Sequence, residues 1–262
     1  MQWRLALASA IGTSHSRSGM PCQDAAAYAL VADSTGREVL IAATADGAGS
    51  AKKSDIGSRL ACSRLVEHLA QWLQTNEATK LYADTFTEWV NWYRSEIALM
   101  ADSDGVKPRE YASTLLSAVI ADDFGLFFQI GDGAIVFSAS ETPGHFECVF
   151  WPQNGEYANT TNFVTDPAAA DNFYFDRFDG QVAELAMFTD GIQSLVLNYA
   201  NQAAHAPFFE KMLSVVRAEP SAGHSGTLSQ GLERYLSSQE VNSKTDDDKT
   251  LLLATRRCTA AC

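Results

Sequence analysis

Three features of the sequence predict an α+β fold built on antiparallel strands. Apolar runs of strand length follow one another across tight turns, a connection that antiparallel pairing allows and parallel pairing does not. The stretches with helical period are grouped instead of alternating one-for-one with strands, which argues against a doubly wound parallel sheet. The chain has 262 residues, 46% of them apolar, and shows no internal repeat and no linker; one domain, 1–262, with one extended core is expected.

In chain order, residues 3–11 read as a strand apolar on both faces, and residues 25–33 and 38–45 repeat that style. Ser34-Thr35-Gly36-Arg37 between the last two has hairpin-turn chemistry. From Asp55 the period lengthens: Ile56, Leu60, Val66, Leu69 and Leu73 fall on one helical face. A second helix is expected over Ala83–Met100, with Phe86, Val90, Tyr93 and Ile97 as its apolar stripe. Trp72, Trp89 and Trp92 on these helices read as packing residues. Strands resume at 113–121, 126–131, 134–139 and 145–151. Residues 152–181 are rich in Asn, Asp, Gly and Thr and read as surface loop. Val182–Thr189 is a buried strand, 191–199, 206–217 and 226–238 read as short helices, Ser237–Asp248 as polar turns, and Lys249–Thr255 as a closing strand.

The charge balance is acidic, with 32 Asp and Glu against 19 Lys and Arg, a net −13. Such a chain repels polyanions, so binding to nucleic acid by phosphate neutralisation is excluded, and 46% apolar content excludes a disordered chain. The opening run after Arg4 is too short for a secretory leader, and no stretch is apolar enough to span a bilayer. Cys22, Cys62, Cys148, Cys258 and Cys262 form no CxxC pair and no zinc-type cluster, which suits free thiols in a reducing cytoplasm. A soluble cytoplasmic protein without membrane or nucleic-acid partners is expected.

The informative acidic residues share one setting, the end of a strand beside glycine. Asp46-Gly47-Ala48-Gly49-Ser50 follows the strand at 38–45, Asp132-Gly133 follows that at 126–131, and Asp190-Gly191 follows Val182–Thr189. Asp24 precedes the strand at 25–33, and Asp246-Asp247-Asp248 precede the last. Each alone is ordinarily a turn. Together they can line one edge of a sheet stack, with glycine letting backbone carbonyls approach closely. Carboxylates crowded in this way repel one another unless protonated or paired with cations. Lysine and arginine are sparse near these positions, so the pattern implies a divalent metal, and all-oxygen ligation selects Mg²⁺ or Mn²⁺ over zinc.

In order, Gln23-Asp24, Ala45-Asp46-Gly47-Ala48-Gly49-Ser50, Ser113-Thr114-Leu115, Ile130-Gly131-Asp132, Phe188-Thr189-Asp190-Gly191 and Asp247-Asp248-Lys249-Thr250 resemble the motifs of PP2C-type (PPM) protein phosphatases. The nearest branch is the compact bacterial one that carries Asp-Gly-Ala-Gly-Ser; Gly12-Thr13-Ser14-His15 and Gly155-Glu156-Tyr157-Ala158-Asn159 are similar to it too. The resemblance covers residues 3–255. It implies a β-sandwich of two antiparallel sheets flanked by helices, with a two-metal centre at one end. Carried over, Asp46 would bridge both Mn²⁺ or Mg²⁺ ions and the Gly47 carbonyl would bind one. Asp190 and Asp247 would hold the other, and Asp24 would act through metal-bound water. Asp132 with Asp190 would bind a third, weaker ion. The implied substrate is phosphoserine or phosphothreonine in proteins, supplied by a cognate kinase. The implied attack is by a hydroxide bridging two ions about 3.5–4 Å apart.

The sequence departs from the family in three places. The phosphate-gripping arginine expected five residues before Asp24 is Gly19, which leaves Arg17 as the candidate for that role. The usual glutamate before Asp24 is Gln23, and the proposed general-acid histidine is replaced by Ala48, which leaves His15 as a candidate proton donor. Glu156, Tyr157, Asn159 and Asp166 either shape access as a flap or belong to a plain surface loop. Besides the phosphoprotein phosphatase, two readings stand: a catalytically weak module that binds phosphoproteins, and a phosphatase of a small phosphorylated metabolite.

Overall fold

The computed structural model describes residues 2–152 and 161–257. Its strands and helices run β1 (Gln2–Ala10), α1 (Thr13–Ser18), β2 (Ala25–Ala32), β3 (Glu38–Ala45), α2 (Ser54–Leu73), α3 (Ala83–Ser103), β4 (Leu115–Ile120), β5 (Phe124–Ile130), β6 (Ala134–Ala139) and β7 (Glu147–Cys148). Then follow β8 (Tyr174–Asp179), β9 (Val182–Phe188), α4 (Gln193–Val196), β10 (Leu197–Asn198), β11 (Ala203–Ala204), α5 (Ala206–Ala218), β12 (Gly223–His224), α6 (Gly226–Leu236), α7 (Gln239–Asn242) and β13 (Lys249–Arg257).

Two sheets carry the fold. One has the order β12-β1-β13-β9-β6-β7 and the other β2-β3-β4-β5-β8. Pairing within both is antiparallel except for the short parallel bridge of β1 to β12. Alternation along the strands explains why so many runs are apolar on both faces. In β3, Leu40 and Ala42 point between the sheets, where they meet Trp3, Phe127, Met187 and Leu252. Val39, Ile41 and Ala43 point outward, under α2 and α3. The outer face of the other sheet is covered by α5 and α6 through Phe209, Leu213, Leu232 and Leu236. This is the two-sheet, helix-flanked sandwich that the resemblance implied, and sheets faced on both sides require strands of this composition.

The stripe expected on α3 is fully buried: Phe86, Val90, Tyr93 and Ile97. On α2 the buried face centres on Gly57, Ala61, Leu65 and Leu69, with Ile56 and Leu60 only half-buried at its border. Gly57 sets this rotation, because a Cβ there would sit 2.1 Å from the Tyr111 carbonyl oxygen, so the helix lies with its glycine against that backbone. Trp89 is buried and stacks on Tyr93, whereas Trp92, expected to pack, is 44% exposed and touches only the ring of His68 among aromatic neighbours.

Several elements differ from expectation, among them the two-residue strands β10, β11 and β12, which were not foreseen. Residues 174–179, read as loop, form the edge strand β8. Its two phenylalanines face opposite sides, Phe175 toward the helix-covered core and Phe178 between the sheets, and charged residues separate them, so no period-2 apolar pattern exists to betray it. The strand expected at 145–151 shrinks to Glu147–Cys148, and a turn of helix, α7, interrupts the polar stretch before β13. The short helix α1 was not expected; it ends at Gly19, whose φ of +69° favours glycine. An arginine at this position would have to adopt that left-handed conformation, which side chains rarely do.

Phe86 is buried and stacks on Phe128, with ring centroids 4.9 Å apart, joining α3 to its sheet. Phe86→Ala is expected to lower unfolding stability by about 3–5 kcal/mol. The check is a shifted urea midpoint at unchanged m-value.

Candidate metal centre

All the strand-end aspartates gather at one end of the sandwich. Antiparallel pairing places the start of β2 opposite the end of β3 (Ala25 with Ala45), and the starts of β6 and β13 opposite the end of β9 (Ala134 and Leu251 with Phe188). Asp24, Asp46, Asp132, Asp190 and Asp247 therefore leave their strands in the same direction. Carboxylate oxygens of Asp46, Asp132 and Asp190 lie within 4.8 Å of one another. Asp24 is buried behind them, and Asp247 is exposed at the rim.

Three of the acids are fixed from below. Thr189 donates to Asp24 Oδ2 at 2.6 Å, and the same hydroxyl accepts the Thr250 N–H at 3.0 Å. Asp46 and Thr114 clamp each other: the Asp46 N–H donates to Thr114 Oγ1 at 2.8 Å, and the Thr114 N–H to the Asp46 carbonyl at 2.7 Å. Gln129 Nε2 donates to the carbonyls of Gly131 and Gly133, both at 3.0 Å, and so fixes the turn that presents Asp132. Thr161 donates to Asp132 Oδ2 at 2.7 Å, and Gln193 bonds the Asp132 carbonyl. Gly47 is wedged between the carbonyls of Gln23 and Ser54, each 2.7 Å from where a Cβ would stand. Only glycine allows the chain through at that point.

The electrostatics follow. Burial, opposed by the Thr189 bond and reinforced by the charge of Asp248, pushes the Asp24 carboxyl up to about 7. Burial and the charges of Asp132 and Asp247 push Asp190 up to about 6. Burial, with Asp24, Asp190 and Asp247 nearby, holds Asp46 well above the ordinary carboxylate range. Asp24 Oδ1 is buried with no hydrogen-bond partner. Carboxylates set this close are stable together only with protons or cations among them, and an all-oxygen set of this kind fits Mg²⁺ or Mn²⁺. The structure thus brings Asp24, Asp46, Asp132 and Asp190 into one cluster. Asp247 contributes its field but lies outside the tight trio, and the Gly47 backbone adjoins it.

The other expected site residues divide. His15 stands beside the centre with Nδ1 2.9 Å from Asp248 Oδ2. Arg17 is exposed on α1 and has no ion pair among the described residues. Glu156, Tyr157 and Asn159 lie outside the described residues, as do Cys258 and Cys262; Asp166 accepts the Phe163 N–H at 2.8 Å.

Two residues escaped the sequence reading. Asp248 is buried and accepts from the Gly12 N–H (2.6 Å) and the Gln23 N–H (2.6 Å) besides meeting His15, so it ties α1 and the Asp24 segment to the root of β13. Lys249 is fully buried, its ammonium donating to Asn242 Oδ1 and the Asp247 carbonyl, both at 2.9 Å. Cations are therefore not wholly lacking near the cluster, as the sequence had suggested; burial holds this lysine below its ordinary range against the attraction of Asp248, Asp247 and Asp24. Alternation supplied a signal: Lys249 shares the face of Leu251 and Leu253, which pack under the helices.

The raised carboxyls of Asp24 and Asp190 bind protons in the folded metal-free protein at pH values where the unfolded chain has released them. By linkage the folded state then loses stability as pH rises from about 4 through about 7. The melting temperature of chelator-treated protein is expected to fall over that window, and Mn²⁺ to reverse the fall at pH 7–8. A flat metal-free profile would contradict the placement of these acids.

Comparisons with known proteins bear on the family and the fold. The family profile described as "Protein phosphatase 2C" matches residues 11–237. "Serine/threonine-protein phosphatase 3" of Escherichia coli (strain K12) is 35% identical over 97% of this chain and 98% of its own length. The S. agalactiae serine/threonine phosphatase superposes with a TM-score of 0.63 at 15% identity, over 97% of this chain and 100% of that one. The catalytic domain of the serine/threonine protein phosphatase PstP, solved with two manganese ions, does so with a TM-score of 0.60 at 14% identity, over 97% and 98%. No described helix is long and apolar enough to cross a membrane. The chain belongs to the protein phosphatase 2C family and is a PP2C-type serine/threonine phosphatase.

Proposed function

We propose that the chain hydrolyses phosphoserine and phosphothreonine in proteins, using two Mn²⁺ or Mg²⁺ ions held by the aspartate cluster. The observation that supports this most is the convergence of Asp46, Asp132 and Asp190 within 4.8 Å. A 35% identical relative named as a serine/threonine-protein phosphatase and a manganese-bound structural neighbour support it further. Asp46 and the Gly47 carbonyl would hold one ion, Asp46 with Asp190 and Asp247 the other, with Asp24 at one remove; Asp132 and Asp190 would take a third, weaker ion. Bound ions of this kind supply a hydroxide nucleophile near neutral pH and neutralise the phosphate dianion.

The chain's own groups then position and protonate. Thr189, Thr114 and Thr161 keep the acids from swinging apart under their own repulsion. As the water oxygen joins phosphorus and the bond from phosphorus to the serine oxygen breaks, that oxygen needs a proton. Asp248 holds His15 by Nδ1, which leaves Nε2 as the nitrogen able to donate it. Arg17, the basic residue nearest in register to the vacant arginine position, would meet the substrate phosphate. A serine/threonine kinase is the reaction class that supplies such a substrate. The free thiols of Cys22, Cys62 and Cys148 support a reducing compartment such as the bacterial cytoplasm.

Turnover of an aryl phosphate is expected to require Mn²⁺ or Mg²⁺ and to fall by about two orders of magnitude or more in Asp46→Ala and in Asp190→Ala. Absence of turnover with every divalent ion would favour a phosphoprotein-binding module instead. Faster hydrolysis of small phosphorylated metabolites than of phosphopeptides would favour the third reading. On a phosphopeptide, His15→Gln is expected to remove the basic limb of the pH–rate profile and Arg17→Ala to raise KM several-fold. An unaltered profile or an unaltered KM would strike out the respective role.

A further inference from the structure

Asp132 and Asp190 meet across neighbouring strands, but the ladder between those strands stops short of them. The β6–β9 pairing ends at Ala134 with Phe188, so both acids stand on segments beyond the last rung. Burial first, and then the charge of Asp132, raises the Asp190 carboxyl, so the two acids feel each other. Like charges so placed part unless something ties their segments together.

Gln193 supplies that tie. It stands three residues after Asp190, where the turn Asp190–Ile192 runs into α4, and positions three apart eclipse in a 3₁₀ turn. Its side chain is buried, and Nε2 donates to the Asp132 carbonyl. Among the described residues this is the hydrogen bond that joins the Asp190 segment to the Asp132 turn. Gln129 acts from the strand that leads into Asp132, and Thr161 from the chain that precedes β8.

A carbonyl can only accept, so Nε2 has to face Asp132 and Oε1 has to face away from it. There Oε1 accepts the Tyr199 hydroxyl at 2.8 Å. Tyr199 is 44% exposed, and its ring meets Trp151 edge-on with centroids 5.4 Å apart. Burial, followed by the charges of Asp190 and Asp132, holds this phenol above its ordinary range, so at neutral pH it keeps the proton it donates. A line of hydrogen bonds therefore runs from a surface aromatic residue, through the segment of one acid, to the backbone of the other.

We propose that Gln193 and Tyr199 are positioning residues for the ion shared by Asp132 and Asp190: the Tyr199 hydroxyl orients the Gln193 amide, and the amide sets the separation of the two acids and with it the affinity for that ion. These roles rest on the metal centre proposed above and name what tunes its weaker site. Asp132 takes no part in holding the tighter pair of ions, so a change in the tie falls on the third.

The test counts Mn²⁺ bound to the full chain through the paramagnetic resonance of the free ion, with Asp132→Asn as the reference that lacks the third site. The wild type is expected to bind two ions tightly and a third weakly. Gln193→Met, which keeps the length and loses the donor, should weaken the third about tenfold. Tyr199→Phe, which keeps the ring against Trp151, should weaken it several-fold. Gln193→Met/Tyr199→Phe should bind the third ion no more weakly than Gln193→Met does, because the hydroxyl acts through the amide. The two tight ions should bind as in the wild type throughout. A third ion unmoved by Tyr199→Phe, additive losses in the double variant, or equal weakening of all ions overturns these roles, and so does a wild type that binds only two. If Gln193→Met does not fold, Tyr199→Phe decides by the same criteria. Turnover does not enter these measurements: a chain that shows these differences yet hydrolyses no phosphopeptide loses the phosphatase reading and keeps the positioning one.

Discussion

Mutual repulsion among the carboxylates of Asp24, Asp46, Asp132 and Asp190 is the constraint to which the functional end of the sandwich answers. Burial, with the charge of neighbouring carboxylates added, pushes the Asp24 carboxyl up to about 7 and that of Asp190 up to about 6. Force enough to hold them comes from beneath. Every acid stands at a strand end, and the strands are locked by ladder bonds and by cores on both sheet faces. A hydroxyl or amide then fixes three of them locally: Thr189 for Asp24, Thr114 for Asp46, Thr161 and Gln129 for Asp132. Carboxylates crowded in this way suit small, hard, divalent cations.

Asp248 plays the complementary part. It is a carboxylate that the fold satisfies completely, with backbone N–H groups of Gly12 and Gln23 and the ring of His15 as partners. One position earlier, Asp247 is exposed and turned toward the centre, where its charge acts on Asp46 and Asp190. Two adjacent aspartates with opposite environments divide the work: one builds the wall and the other faces the site. Lys249 completes the arrangement by pinning the Asp247 carbonyl from a fully buried position, tying it also to α7 through Asn242.

The acidic excess is not spread evenly, since carboxylates from five strand ends converge at the centre, which a net charge of −13 read as a single number conceals.

Composition and period were sufficient for the elements with strong local signals. Strands β3, β6 and β9 and the stripe of α3 emerged where expected because each buries a continuous apolar set. Recurrence of aspartate beside glycine at strand ends likewise exposed Asp24, Asp46, Asp132 and Asp190, since a strand's end is legible in the sequence and a charge there has no packing role. Strand β8 was not legible, because each of its two phenylalanines serves a different core. Nor was the split between Asp247 and Asp248, or the burial of Lys249, because identical or like-charged neighbours acquire their roles only from what faces them. The sequence by itself determined which aspartates stand at strand ends and that their strands pair antiparallel. Only the tertiary structure decided which acids meet and which one is satisfied, since those depend on distances between segments more than two hundred residues apart, such as His15 and Asp248.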